Sequence, residues 1–189
     1  KSEIRNPKSE IEQLKRKHGI NGPYILSLST LQPRKNFVRL IEAFASLKKP
    51  ALELAIAGKP GWLYEEIYAA PKKFGVEKKV KFLNYVPDKD LPALYQGAVC
   101  FALVSLYEGF GIPVLEAMSH RCPVVVANIS SLPEVAGKAG VLVDPYNVRD
   151  ISKGILKVLN LNTKERQKMI EKGLKQAKKF SWQKTAEKT

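Results

Sequence analysis

The sequence predicts an α/β fold, a parallel, doubly wound sheet with helices on both faces. Six short apolar runs rich in β-branched residues recur along its 189 residues, and they look like buried strands. Helical patterns separate most of them, so the alternation is β-α, and right-handed crossovers then make the sheet parallel. The apolar and charged fractions are those of an ordinary globule.

Residues 9–18 read as one short lead-in helix, with Ser9 as a cap candidate, Glu12 three residues on, Ile11 and Leu14 apolar, and Gly19 as the stop. Strands are expected at 24–29, 52–57, 80–83, 99–103, 123–127 and 141–143. Phe37, Leu40, Ile41 and Phe44 keep helical spacing behind a cap candidate at Asn36. A helical segment at 63–74 is expected to break at Pro71, and another spans 88–97. Ser131 with Glu134 suggests a capping box, and Asn147 starts the first of two basic segments. Their apolar members are Val148, Ile151, Ile155 and Val158, then Ile170, Leu174 and Ala177.

The formal charge of +14 favours anionic partners without choosing among them. From Asp150 onward there are eleven Lys and Arg against four acids, half of the total excess. A solvated helix face accounts for these lysines; a patch facing an anionic membrane leaflet is the functional alternative. No apolar run reaches the length of a membrane span and the first residues are too polar for a signal peptide, so the chain reads as cytoplasmic, with peripheral contact at the inner face of a membrane left open. Cys100 and Cys122 lie in apolar stretches without metal-ligand spacing and are expected to be buried thiols. His18 is expected at a solvated helix end and His120 at a helix C-terminus.

Ligands of open α/β sheets lie at the carboxyl ends of the strands. After the fourth run comes Ser105-Leu-Tyr-Glu108-Gly-Phe-Gly111-Ile-Pro113-Val-Leu-Glu116-Ala-Met118, a glycine turn followed by a proline suited to a first helical turn. The helix N-terminus offers backbone N–H groups and partial positive charge to a diphosphate without a protein metal site. Glu108, on the strand side, could accept from sugar hydroxyls, and Glu116, in the first helical turns, could take a ribose diol. Lys35, directly after the first strand, is placed to meet phosphates. Arg34 could assist the same anion or lie on the surface.

The segment from Glu108 to Met118 resembles family 4 of the retaining glycosyltransferases, whose signature is two glutamates separated by seven residues. The similarity extends through Pro33-Arg34-Lys35-Asn36, Ala57-Gly58-Lys59, Val86-Pro-Asp, Pro123-Val-Val-Val, Leu132-Pro-Glu134-Val and Phe180-Ser-Trp182. It implies the Rossmann-like C-terminal half of a GT-B enzyme, with residues 1–20 a lead-in helix and interdomain linker, 21–189 the nucleotide-sugar-binding domain, and the acceptor-binding half absent. By that resemblance Lys35 and Glu108 are catalytic, meeting the donor phosphates and the transferred sugar. Gly109, Phe110 and Gly111 would line the sugar, Val114 and Leu115 would offer amides to the diphosphate, Glu116 would hold the ribose and the Val86 backbone the base. The implied reaction is hexosyl transfer, tilted toward mannose from GDP-mannose with UDP-linked hexoses close behind, to a glycan or lipid-linked acceptor. No metal or other cofactor is implied. A sugar-nucleotide epimerase of similar fold and a basic nucleic-acid-binding module are the alternatives. The first lacks the transferase-like whole-chain pattern, and the second would leave the glycine turn unexplained.

Ser29, Asn84 and Arg121 stand where these enzymes usually carry glycine, Val104 where proline is usual, and Thr30 where many have arginine. A side chain at Ser29 is expected to reshape the phosphate pocket. Asp88-Lys-Asp90 has the spacing of a metal-binding pair, though capping of the following helix suffices to explain it.

Overall fold

The structure is a computed structural model and describes residues 7–180. Helix α1 (Pro7–Lys17) leads into β1 (Tyr24–Leu28), α2 (Phe37–Ser46), β2 (Glu53–Ala57), α3 (Glu65–Lys73), β3 (Val80–Asn84), α4 (Leu91–Gly97) and β4 (Cys100–Leu103). There follow α5 (Ile112–Ser119), β5 (Val124–Ala127), α6 (Leu132–Ala136), β6 (Val141–Val143), α7 (Val148–Leu159) and α8 (Thr163–Ala177). The six strands form one parallel sheet in the order β3-β2-β1-β4-β5-β6.

Both faces of the sheet are buried, which is why its strands are written as continuous apolar runs. Tyr24, Leu26, Val124 and Val126 face a core shared with α1, α4, α5, α6 and the end of α8. Their neighbours Ile25 and Val125 face a second core filled from α2, α3 and α7. Helix α1 is docked rather than free: Leu14 sits in the first core, and Lys17 pairs with Asp90 at 2.7 Å.

Several local expectations are corrected. Ser9 lies inside the first turn of α1, which begins at Pro7, and does not cap it. His18 is only half exposed, because docking of α1 buries its Nε2 without a hydrogen-bond partner. Burial and then Lys17 lower its pKa, against an opposing pull from Asp90. Pro71 sits within α3 and does not break it: the helix ends two residues later, where Val76 and Gly75 donate to the carbonyls of Pro71 and Lys72 and close the last turn. Asp90 stands at the N-cap of α4 but makes no capping bond, being drawn to Lys17. Asn36 and Ser131 likewise precede helices without capping them by side chain. Asn147 caps α7 as expected, and Asn162 with Glu165 forms the capping box of α8. Both cysteines are buried and free, and burial pushes the Cys100 thiol up to about 12. Among the described residues, no helix is long and apolar enough to cross a membrane.

Candidate functional site

Strands β1 and β4 are neighbours, yet their onward connections, through α2 and α5, leave toward opposite faces of the sheet. Such a switch point opens a crevice at the carboxyl ends of the two strands. The loops that follow β1 and β4 meet there. The first makes a single 3-10 turn, Pro33–Lys35, and ends at Asn36 in the left-handed conformation, φ 61°.

Lys35 and Glu108 come together in this crevice. The Lys35 Nζ donates to both oxygens of the Glu108 carboxylate, at 2.8 and 2.9 Å, and the two side chains are only 10% and 11% exposed. The buried Ser105 hydroxyl donates to the same carboxylate at 2.7 Å. Arg34 belongs to the same cluster: its guanidinium donates to the Tyr107 carbonyl at 2.6 Å and lies 3.9 Å from Glu108. Asn36 holds the cluster from behind. Its amide donates to the carbonyls of Val104 at 2.9 Å and Pro145 at 2.8 Å, tying together the loops after β1, β4 and β6. Its Oδ1, the atom a cap would use, accepts from the Arg39 guanidinium at 3.0 Å, and the side chain does not cap α2.

The glycine turn is clasped from β5. The Ser130 hydroxyl donates to the Glu108 carbonyl and accepts from the Glu108 N–H at 3.2 Å. The Ser131 hydroxyl donates to the carbonyls of Glu108 at 3.1 Å and Phe110 at 2.9 Å. Gly111 is required twice over: its φ is 99°, and a Cβ there would stand 2.7 Å from Leu132. Among the described residues nothing lies within 4 Å of where a Cβ on Gly109 would stand, and Phe110 is exposed, with its ring edge toward Phe180 at 5.7 Å. Ser181 and Trp182 lie outside the described residues.

In α5, Val114 is buried and its N–H already donates to the Gly111 carbonyl at 2.9 Å; Leu115 is half buried against the first core. Glu116 is half buried, and its Oε2 accepts from the Tyr95 hydroxyl of α4 at 3.0 Å. Val86 is buried just beyond β3. Among the described residues, no group of three or more metal-ligating side chains comes together.

Two of the unusual positions keep a glycine-like backbone without glycine. Asn84 has φ 54° and Arg121 φ 63°, and Arg121 closes α5 by donating to Met118 while Cys122 donates to Ala117. Ser29 does not take that conformation. Its carbonyl instead lies where a Cβ on Gly58 would have to go, so the close approach needs glycine at 58. Sequence reasoning missed Ser105, Tyr95, Ser130 and the true work of Ser131 and Asn36. Tyr95, Ser130, Ser131 and Asn36 act through hydrogen bonds across the fold, which no periodicity or local spacing announces, and Ser105 acts within its own loop, three residues from Glu108.

A six-stranded, doubly wound parallel sheet with a charged cluster at its switch point defines the class, a Rossmann-like α/β domain. The family model described as glycosyl transferases group 1 matches residues 10–176, and the chain belongs to that family. It is 42% identical over 163 residues to O-antigen chain mannosyltransferase B of Escherichia coli, covering 85% of this chain and 42% of that protein. It is 36% identical over 182 residues to the serotype-specific mannosyltransferase WbdA of the same organism, covering 93% of this chain and 22% of that one. Among solved structures, Anabaena Alr3699/HepE in complex with UDP and glucose superposes with a TM-score of 0.82 at 26% identity, over 90% of this chain and 48% of that one. The chain thus spans less than half the length of these relatives.

Proposed function

We propose that this chain is the donor-binding half of a retaining hexosyltransferase that moves a mannosyl group from GDP-mannose to a glycan or lipid-linked acceptor. The observation that carries the reading is the Lys35–Glu108 cluster at the switch point, a cation and a carboxylate delivered by two loops to the place where this fold takes nucleotides. Two relatives named as mannosyltransferases support the choice of sugar.

On this reading the bond from the anomeric carbon to the diphosphate breaks toward an oxocarbenium-like state, and negative charge grows on the departing phosphate. Lys35, Arg34 and the N-terminus of α5 face that charge with cationic and dipolar groups fixed before the reaction begins. Glu108 accepts from the hydroxyls of the sugar and Glu116 from the ribose. The base lies against the Val86 backbone, and the Gly109, Phe110 and Gly111 backbone lines the sugar. No protein-bound metal or other cofactor is needed, and the work is done in the cytoplasm, at the inner face of a membrane when the acceptor is lipid-linked. Calorimetric titration with GDP, UDP, ADP, GDP-mannose and UDP-glucose, without metal, tests this. GDP and GDP-mannose are expected to bind, about tenfold more weakly after Glu116→Ala. Binding of none of them by the folded chain would refute the reading for the isolated half.

A further inference from the structure

We propose that Tyr95 is a positioning residue that holds the Glu116 carboxylate ready for the two ribose hydroxyls; the inference rests on the reading of Glu116 as the ribose ligand. Tyr95 is fully buried in α4, with its ring edge-on to Phe101 at 5.5 Å and stacked on His120 at 5.7 Å and 14° between planes. Packing on both sides leaves the ring one orientation, and that orientation delivers the hydroxyl to Glu116 Oε2 at 3.0 Å. His120 completes the hold, because its Nδ1 lies 2.8 Å from the Glu116 backbone carbonyl. Side chain and backbone of one glutamate are therefore gripped by two stacked rings, one from α4 and one from the end of α5.

A glutamate on a helix surface ordinarily samples several rotamers and must give that freedom up when a ligand arrives. Here the freedom is already gone. A carboxylate has about four acceptor positions, and Tyr95 takes one, which leaves the others for a vicinal diol. Burial, and then the facing carboxylate, push the Tyr95 phenol well above its ordinary value, so it stays a donor at any working pH. The grip acts only through Glu116, and its effect reaches the ligand only through the ribose hydroxyls.

The test compares GDP and UDP with their 2′,3′-dideoxy forms by calorimetry, on the wild-type chain, Tyr95→Phe, Glu116→Ala and the double variant. The wild type is expected to prefer the ribose form. Tyr95→Phe should weaken that form about tenfold, leave the dideoxy form unchanged, and add nothing once Glu116 is alanine. Tyr24→Phe, which removes another buried hydroxyl that donates to α4, should leave the ribose preference intact. Equal losses for both forms, or losses that add in the double variant, would overturn the proposal and assign Tyr95 to packing alone. A wild type that binds both forms equally, or neither, would remove the role of Glu116 itself and the proposal with it, and would be seen before any substitution is made.

Discussion

Two hydrogen bonds run from Lys35 to Glu108, and a third reaches the same carboxylate from Ser105. Removing the lysine leaves a nearly buried carboxylate with the Ser105 hydroxyl and, at 3.9 Å, the Arg34 guanidinium, so Lys35→Ala should destabilise the fold by about 2 kcal/mol, with part of the loss recovered in Lys35→Ala/Glu108→Ala. Denaturant midpoints of the two single variants and the double variant measure that coupling. Arg121 shows the opposite case, a residue whose replacement helps. It holds a left-handed backbone with a side chain attached, and Arg121→Gly should raise stability by roughly 0.5–1 kcal/mol in the same measurement. The sequence singled out Glu108 and Glu116 through the resemblance of their segment and Lys35 also through its place after the first strand, and the structure brings Lys35 and Glu108 together and sets Glu116 beside Tyr95. Ser105 and Tyr95 were not singled out, since a lone serine and a tyrosine at helical spacing read as ordinary loop and core.

Between elements, the side chains just before helices divide into two kinds. Asn147 and Asn162 spend theirs on their own helices, and Asn162→Ala should cost about 1 kcal/mol. Asn36 and Ser131 spend theirs on distant loops. Asn36→Ala would leave the buried carbonyls of Val104 and Pro145 without their donor, a cost of about 2–4 kcal/mol, with loosening of the Lys35 loop. Thermal melts of the two asparagine variants should therefore differ by several degrees, Asn36→Ala melting lower. The sequence rules for caps describe a backbone N–H about three residues on: Asn147 finds one, whereas the left-handed Asn36 gives its Oδ1 to the Arg39 guanidinium and Ser131 turns to the glycine turn. Strands were easier to foresee: burial on both faces leaves an apolar run whose identity does not depend on any one partner.

For the molecule as a whole, the titrating groups in the core act in one direction. Burial raises Cys100 to about 12 and Cys122, Tyr24 and Tyr95 well above their ordinary values. The unfolded chain ionises these groups first, the cysteines from about pH 8 and the tyrosines later, so their contribution is complete below about pH 8 and declines as pH rises toward the folded values. A urea midpoint that begins to fall from about pH 8 and continues down to about pH 12 is the expected contribution of these groups. The parallel sense of the sheet followed from the β-α alternation and crossover handedness, whereas its strand order and the docking of α1 onto α4 needed the assembled core to be seen.

The mutual neutralisation of Lys35 and Glu108 makes the pair a closed clasp. On the reading proposed above, a diphosphate that draws the lysine to itself sets the carboxylate free for sugar hydroxyls, whereas a free sugar finds that carboxylate still occupied. The two ends of a donor would then bind as partners, each easing the entry of the other, and the coupling must be the same in both directions. Mannose alone would be a poor ligand that becomes a better one once GDP is bound.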